Sequence, residues 1–312
     1  MSLYIGLDLG GTNVRAVVAQ TAPDRPHILG DANRATPETG KPADVIAALA
    51  ECARAALEEA ARPLHDIVAA GCAAPGPLDH RSGRVHVAPN IPGFRDVPLA
   101  DGLSEALDGI PVFVDRDVVI AAIGEGAAGA ARGLRDYVYV TVSTGVGAGI
   151  VSGGRMLRGA SNTAGEVGHW PVALAGPRCG CGSYGCVESF AGGRNLAEQF
   201  GSDEASDVFR AERAGDARAR ELVANAEAAL EALAIGLVNV LNPARIVVGG
   251  GITEHEPDHV LAPMRRGVRE RAFAVASAAC EIVASGLGSD VGMIGAVIAA
   301  QQRAAGAGEW FL

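Results

Sequence analysis

The stretch that most limits what this chain can become runs from Gly165 to Glu188, GEVGHWPVALAGPRCGCGSYGCVE. Three thiols, Cys179, Cys181 and Cys186, fall within eight residues, and an imidazole, His169, lies ten residues before the first. Three thiolates and one imidazole make a closed tetrahedral donor set for zinc, with no position left for a reacting water. The spacing therefore predicts a structural metal site with His169, Cys179, Cys181 and Cys186 as ligands. Glycines at 180, 182 and 185 let the loop turn tightly around an ion. A pair of disulfides is the competing reading. It fits poorly, because Cys179 and Cys181 are too close to pair easily and three thiols leave one over. Two carboxylates, Glu166 and Glu188, bracket the cluster. A metal-bound imidazole has its second ring nitrogen fixed in direction, so Glu166, His169 and Glu188 are expected to form one rigid polar rim.

The 312 residues suffice for one large or two moderate domains. A net charge of −10 argues against a nucleic-acid partner, which calls for a basic face. Of 26 basic residues only Lys41 is a lysine. That excludes the phosphate-binding lysine of a P-loop, whose motif is absent, and the strand lysine of protein kinases. Any phosphate cradle here must use backbone N–H groups, hydroxyls or a metal. Cys52, Cys72 and Cys280 stand alone in apolar surroundings and are expected to be free, buried thiols, as in a reducing cytoplasm. Asp8 interrupts the first apolar run and no basic region precedes it, so no leader is expected. No run of about 18 apolar residues occurs, so neither a membrane span nor a membrane partner is expected, and the chain is assigned to the cytoplasm.

Along the chain, residues 3–20 read as strand, tight turn and strand, with Asp8 inside the first, buried-looking strand. An unpaired buried carboxylate is costly, so Asp8 is expected to face a cation or a bound phosphate. Residues 41–62 have helical apolar spacing. A strand over 67–74 runs into the turn Pro75-Gly76-Pro77, and another strand covers 83–90. The strand 111–114 leads into Asp115-Arg116-Asp117 and a helix over 118–131. Carboxylates at such a strand–helix junction mark a site in an α/β fold or serve as helix caps. Residues 137–160 repeat the first hairpin, with Thr144, Gly145 and Gly147 in the turn, which points to an internal duplication. Residues 195–240 are mostly helical, with a long helix over 220–241 stopped by Asn242-Pro243. A strand over 245–248 ends in Gly249-Gly250-Gly251, more glycines than a plain turn needs, which favours close approach of a ligand to the backbone. A basic helix over 259–272, a strand over 280–284 and a helix over 291–304 complete the chain.

The pattern E-x-G-H followed by C-x-C-G-x-x-G-C-x-E is filled by Glu166, Gly168, His169, Cys179, Cys181, Gly182, Gly185, Cys186 and Glu188. It resembles the signature of the ROK family (repressors, open reading frames and kinases), and the resemblance extends over nearly the whole chain. It implies an α/β, ribonuclease H-like or actin-like ATPase fold with two domains and a central cleft. The small domain would span 1–117, completed by a C-terminal helix over 298–312, and the larger domain 118–297. It also implies ATP, Mg2+ and structural zinc as cofactors. In the D-x-G-G-T turn, Gly10, Gly11, Thr12 and Asn13 would face ATP phosphates and Asp8 would hold water on magnesium. Thr144, Gly145 and Gly147 would form the second phosphate loop, and Gly249 and Gly250 the adenosine and phosphate pocket. Glu166, His169 and Glu188 would bind the sugar, with Gly76 and with Asn90 of the segment Asn90-Ile91-Pro92-Gly93-Phe94 nearby.

The family pattern N-D-x-N-A-A-x-x-x-E, aligned on Glu125, makes Asp117 the general base. Arg116 and Val119 stand where the family has asparagines. The first asparagine binds a sugar hydroxyl, so Arg116 is counted with the sugar contacts, although its geometry differs and its charge tends to lower the pKa of Asp117. The implied reaction is transfer of the γ-phosphoryl group of ATP to a hexose hydroxyl, glucose being favoured. N-acetylmannosamine, N-acetylglucosamine, fructose and allose are the alternatives. A sugar-binding protein that has lost catalysis is the reading from another class, and a regulator lacking its DNA-binding domain is a third. No winged-helix segment precedes Tyr4, which speaks against the repressor branch. A homo-oligomer, dimer or tetramer, is implied by the family.

Overall fold

The computed structural model describes residues 2–306. The chain folds into two units. One runs to Gly133, takes in Arg158–Ala164 and resumes at Asp290; the other comprises Leu134–Leu157 and Gly165–Ser289.

The first unit is built on strands β1 (Leu3–Leu9), β2 (Asn13–Gln20), β3 (His27–Ala35) and β4 (Ile67–Ala74). A small three-stranded sheet follows, β5 (Leu78–Asp79), β6 (Arg84–Val87) and β7 (Arg95–Pro98), and then β8 (Val112–Arg116). The main sheet has the order β3-β2-β1-β4-β8. Residues of β4 are buried on both faces apart from Val68, as expected of a parallel strand covered on two sides. One cover is α1 (Pro42–Glu59), which buries Val45, Leu49, Cys52, Ala53, Ala56 and Leu57 at helical spacing. The other is the last helix, Val291–Ala304, which packs on β1, β4 and α3 (Asp117–Ala128). Helix α2 (Leu99–Ala106) packs on α1.

The second unit repeats the plan. Strands β9 (Tyr137–Val142), β10 (Val146–Ser152), β11 (Arg155–Met156), β12 (Arg245–Gly249) and β13 (Glu281–Ala284) are ordered β11-β10-β9-β12-β13. In each sheet the first hairpin is antiparallel and the next two pairings are parallel. The duplication suggested by the two hairpins thus extends to whole sheets. Helices α4 (Val187–Ala191), α5 (Gly193–Phe200), α6 (Ala205–Arg213), α7 (Ala217–Leu241), α8 (Gly251–His255), α9 (Pro257–Arg271) and α10 (Ala274–Ala279) belong to this unit, and the last helix is α11. Helix α7 is long and apolar enough by composition to cross a membrane, although its apolar residues form no unbroken run. Half of its most apolar window is buried, and it packs on α4, α6 and α9 as a core helix.

Strand β3 was not anticipated from the sequence, and two expectations are corrected. Helix α7 begins three residues before 220 because the side chain of Asp216 caps it, accepting from the Ala219 N–H at 2.8 Å. Cys52 and Cys72 are buried as expected, whereas Cys280 is only partly so. The portion of the expected C-terminal helix beyond residue 306 lies outside the described residues.

Candidate functional site

In the first unit, the turn between β1 and β2 is closed by the Gly10 N–H donating to the Asn13 carbonyl at 2.9 Å. It is buttressed by Thr36, whose hydroxyl donates to the Gly10 carbonyl at 2.7 Å and whose N–H donates to the Thr12 carbonyl at 2.8 Å. Gly11, Thr12 and Asn13 are exposed at its tip. Asn90 lies against Gly11, where a Cβ would come within 3.0 Å of the Asn90 Cβ. Asp8 sits opposite Arg15 across the hairpin and beside Gly292 in the first turn of α11, where the helix dipole favours negative charge. Even so, its carboxyl is pushed up to about 6, by burial first and then by the charge of Asp117, with Arg15 acting the other way. Asp8 is half-buried and Asp117 exposed, and a cation near Asp8 would offset their repulsion.

Asp117 stands at the start of α3, exposed. Asp115 and Asp117 do not cap that helix. The Ncap residue is Arg116, which makes no side-chain cap. Asp117 Oδ1 instead accepts from the next N–H, that of Val118, at 2.7 Å. Asp115 and Arg116 point elsewhere: both are buried, Arg116 at 2% exposure, and Asp115 pairs with Arg158.

In the second unit the metal-type cluster assembles as the spacing predicts. The donor atoms of His169, Cys179, Cys181 and Cys186 lie within 4.8 Å of one another. His169 Nδ1 is 3.5 Å from Cys179 Sγ, and Cys181 Sγ is 3.8 Å from Cys186 Sγ. Tetrahedral zinc with bonds of about 2.3 Å to sulfur and about 2.0 Å to nitrogen requires edges of about 3.8 and 3.5 Å, so the donor set fits. Burial lifts the Cys179 thiol to about 12; a bound cation reverses that preference, because a coordinating thiol is held deprotonated.

With Nδ1 turned to the sulfurs, Nε2 of His169 lies 4.0 Å from Glu166 Oε2. Glu188 Oε1 is 4.0 Å from His169 Nδ1. Its other oxygen accepts from the Val146 N–H at 3.0 Å, which ties the rim to the turn between β9 and β10. That explains Gly145 better than freedom of φ does, since a Cβ there would lie 2.5 Å from Glu188 Oε2. Thr144 is exposed in the same turn, and Gly147 is the second residue of the return strand. At the end of β12, a Cβ on Gly249 would meet Tyr139 Oη at 2.5 Å, and one on Gly250 would meet Thr141 Oγ1 at 2.6 Å. At Gly250 the backbone itself demands glycine, through a φ of +96° and the Val142 carbonyl 2.6 Å from an added Cβ; at Gly249 the obstacle is the end of the Tyr139 side chain.

Two features carry no signal along the chain. One is the bond from Val146 to Glu188. The other is the buried group of Asp115, Arg158 and Asn162, in which Arg158 Nη1 donates to Asn162 Oδ1 at 3.0 Å. An acid at a strand end and an arginine far along the chain give no local sign of pairing.

Two copies of one mixed sheet, each opening with a glycine hairpin, together with a Cys3His loop flanked by carboxylates, define an α/β protein of the actin-like ATPase class. The ROK family profile matches residues 4–303, and the chain belongs to the ROK family. It is 33% identical to a glucokinase of Halalkalibacterium halodurans over 94% of this chain and 93% of that protein. Among solved structures, it is similar to a ROK hexokinase from Thermus thermophilus (36% identity, TM-score 0.80, 96% of this chain and 99% of that one). It is also similar to a ROK family glucokinase from Streptomyces griseus, solved in complex with glucose and AMPPNP (31% identity, TM-score 0.81, 96% and 100%).

Proposed function

We propose that the protein is an ATP-dependent hexose kinase that transfers the γ-phosphoryl group to a sugar hydroxyl, with glucose the favoured acceptor. The observation that carries this reading is the rim of the second unit. Glu166 and Glu188 stand on either side of the His169 imidazole, whose Nδ1 is 3.5 Å from Cys179 Sγ within the metal-type cluster. Fixed carboxylates are strong acceptors for the O–H groups of a polyol. Near full-length similarity to glucokinases supports the same assignment.

In this reading Glu166, His169 and Glu188 orient the sugar ring, with Asn90 and Gly76 beside it. Asp117 takes the proton of the attacking hydroxyl, and its exposure at the head of α3 leaves it open to substrate. The turns carrying Gly10, Gly11, Thr12, Asn13, Thr144, Gly145 and Gly147 offer backbone N–H groups and hydroxyls to the phosphates, in place of the lysine of a P-loop motif, which is absent. Gly249 and Gly250 border the nucleoside. Asp8 is the residue that would hold magnesium, which would supply charge neutralisation of the phosphates. Zinc on His169, Cys179, Cys181 and Cys186 stiffens the rim. N-acetylmannosamine, N-acetylglucosamine, fructose and allose are the other acceptors within this reading. A cytoplasmic location and assembly into dimers or tetramers belong to it as well.

A second reading, sugar binding without turnover, is favoured by one observation, the arginine immediately before the base. A coupled ADP-release assay across hexoses and N-acetylhexosamines separates the two. The kinase reading expects turnover with at least one sugar, and Asp117→Asn to lower kcat by about 10²- to 10⁴-fold. Sugar binding with no ADP release from any acceptor supports the second reading. Unchanged kcat in Asp117→Asn removes the base assignment.

A further inference from the structure

Beside Asp117 the first unit buries a charged group that the reaction as described does not use. Arg158 Nη2 donates to Asp115 Oδ2 at 2.7 Å, and its Nη1 donates to Asp115 Oδ1 at 3.2 Å. Nη1 also donates to Asn162 Oδ1, and Asn162 Nδ2 donates to the Leu78 carbonyl at 2.9 Å. Next along the chain, Arg116 heads the large, fully buried side chains. Its Nη2 donates to the Ala164 carbonyl at 2.5 Å, and its Cγ and Cδ lie over Gly76, where a Cβ would come within 3.1 Å of Cδ. Desolvating this many charges is expensive, and one of the few uses that offsets it is fixing a geometry.

What the charges hold is a strap. Residues 158–164 form no helix or strand, yet they belong to the first unit, while the chain on either side of them belongs to the second. The Ala164 N–H donates back to the Arg158 carbonyl at 3.0 Å, so the strap is a closed loop anchored near both ends. Asp115 holds the end at Arg158, and Arg116 holds the end at Ala164. Two residues after Ala164 comes Glu166, within about 7 Å of chain. One residue after Arg116 comes Asp117. A charge-assisted hydrogen bond, about twice as strong as a neutral one, thus anchors the strap two residues before the candidate sugar carboxylate.

We propose that Arg116 is a positioning residue: by gripping the Ala164 carbonyl it fixes the end of the strap two residues before Glu166, and it acts on turnover through that anchorage and not by direct contact with the sugar. The inference rests on the kinase reading for its effect on turnover, but not for its effect on the strap. Its 2% exposure fits a group that grips backbone better than one that meets substrate.

The test compares the parent with Arg116→Met, which keeps the bulk and loses the donors, and with Arg116→Lys, which keeps a cationic donor. Amide hydrogen exchange over peptides spanning 158–166 is read first, because it needs no turnover. Arg116→Met should speed exchange there about tenfold or more and leave the rest of the first unit unchanged. Steady-state kinetics with the sugar found in the ADP-release screen should show kcat falling at least tenfold. KM for sugar and for ATP should move less than threefold, with partial recovery in Arg116→Lys or on adding methylguanidinium to Arg116→Met. Unchanged exchange with a rise in KM for sugar alone would make Arg116 a substrate contact and overturn the proposal. Unchanged exchange and kinetics would overturn it as well. If Arg116→Met does not fold, exchange and kinetics are read on Arg116→Lys, where faster exchange at 158–166 with a lowered kcat supports the proposal and no change in either overturns it. Absence of ADP release in the parent would sink the kinase reading only, leaving the exchange experiment to decide the strap.

Discussion

Replacing Asp8 by asparagine should make the first unit more stable at neutral pH while destroying activity, and the size of the gain can be worked out. The Asp8 carboxyl sits at about 6 in the folded protein, against 3.8 when unperturbed, because burial and then Asp117 oppose its charge. The folded state therefore binds this proton more tightly than the unfolded chain does. Well below pH 3.8 both states are protonated and nothing is lost. Between pH 3.8 and about 6 the unfolded chain ionises while the folded state keeps its proton, and stability falls by about 3 kcal/mol in all, at 1.36 kcal/mol per tenfold difference in proton affinity, levelling off above 6. Asparagine has no such slope. Urea unfolding of parent and Asp8→Asn at pH 4.5 and pH 7.5 should show the variant's advantage growing by about 2 kcal/mol between the two. Any constant effect of the amide on packing cancels from that difference. Parallel pH–stability curves would refute the reasoning, since Asp8 would then ionise normally. Activity should fall at least a hundredfold in the same variant, the familiar exchange of stability for function at a charged site.

Two further outcomes follow from the second unit. Cys181→Ser removes one of four donors, so the purified variant should hold well under one zinc per chain by elemental analysis. Its KM for sugar should rise tenfold or more as His169 loses its tether; a parent protein that is metal-free as isolated and indifferent to chelators would contradict this. Gly145→Ala puts a methyl where Glu188 Oε2 now lies, 2.5 Å from the ideal Cβ. It should break the bond from Val146 and raise KM for sugar about tenfold, with a smaller change in the melting temperature; an unchanged KM would mean that Glu188 does not need this seat.

Much of this molecule was legible along the chain, because the signals are local. The metal cluster shows in the spacing of Cys179, Cys181 and Cys186, since ligands so close in sequence must be close in space. The hairpins and the helices α1 and α11 show in periodicity and turn glycines, and Asp8 betrays itself as a charge in an apolar strand. Strand β3 escaped because its residues are mostly exposed or half-buried, so no clean alternation marks it. Pairings between distant residues left no trace either. The sequence alone determined which donors surround the metal, and that two similar hairpins exist. Only the tertiary structure decided that Asp115 pairs with Arg158, that Glu188 is locked by Val146, and that Arg116 is buried on Ala164. Each of those contacts lies within one unit and depends on which strand ends and loops its own sheet brings together, and backbone pairing across a sheet carries no residue code that a single chain can reveal.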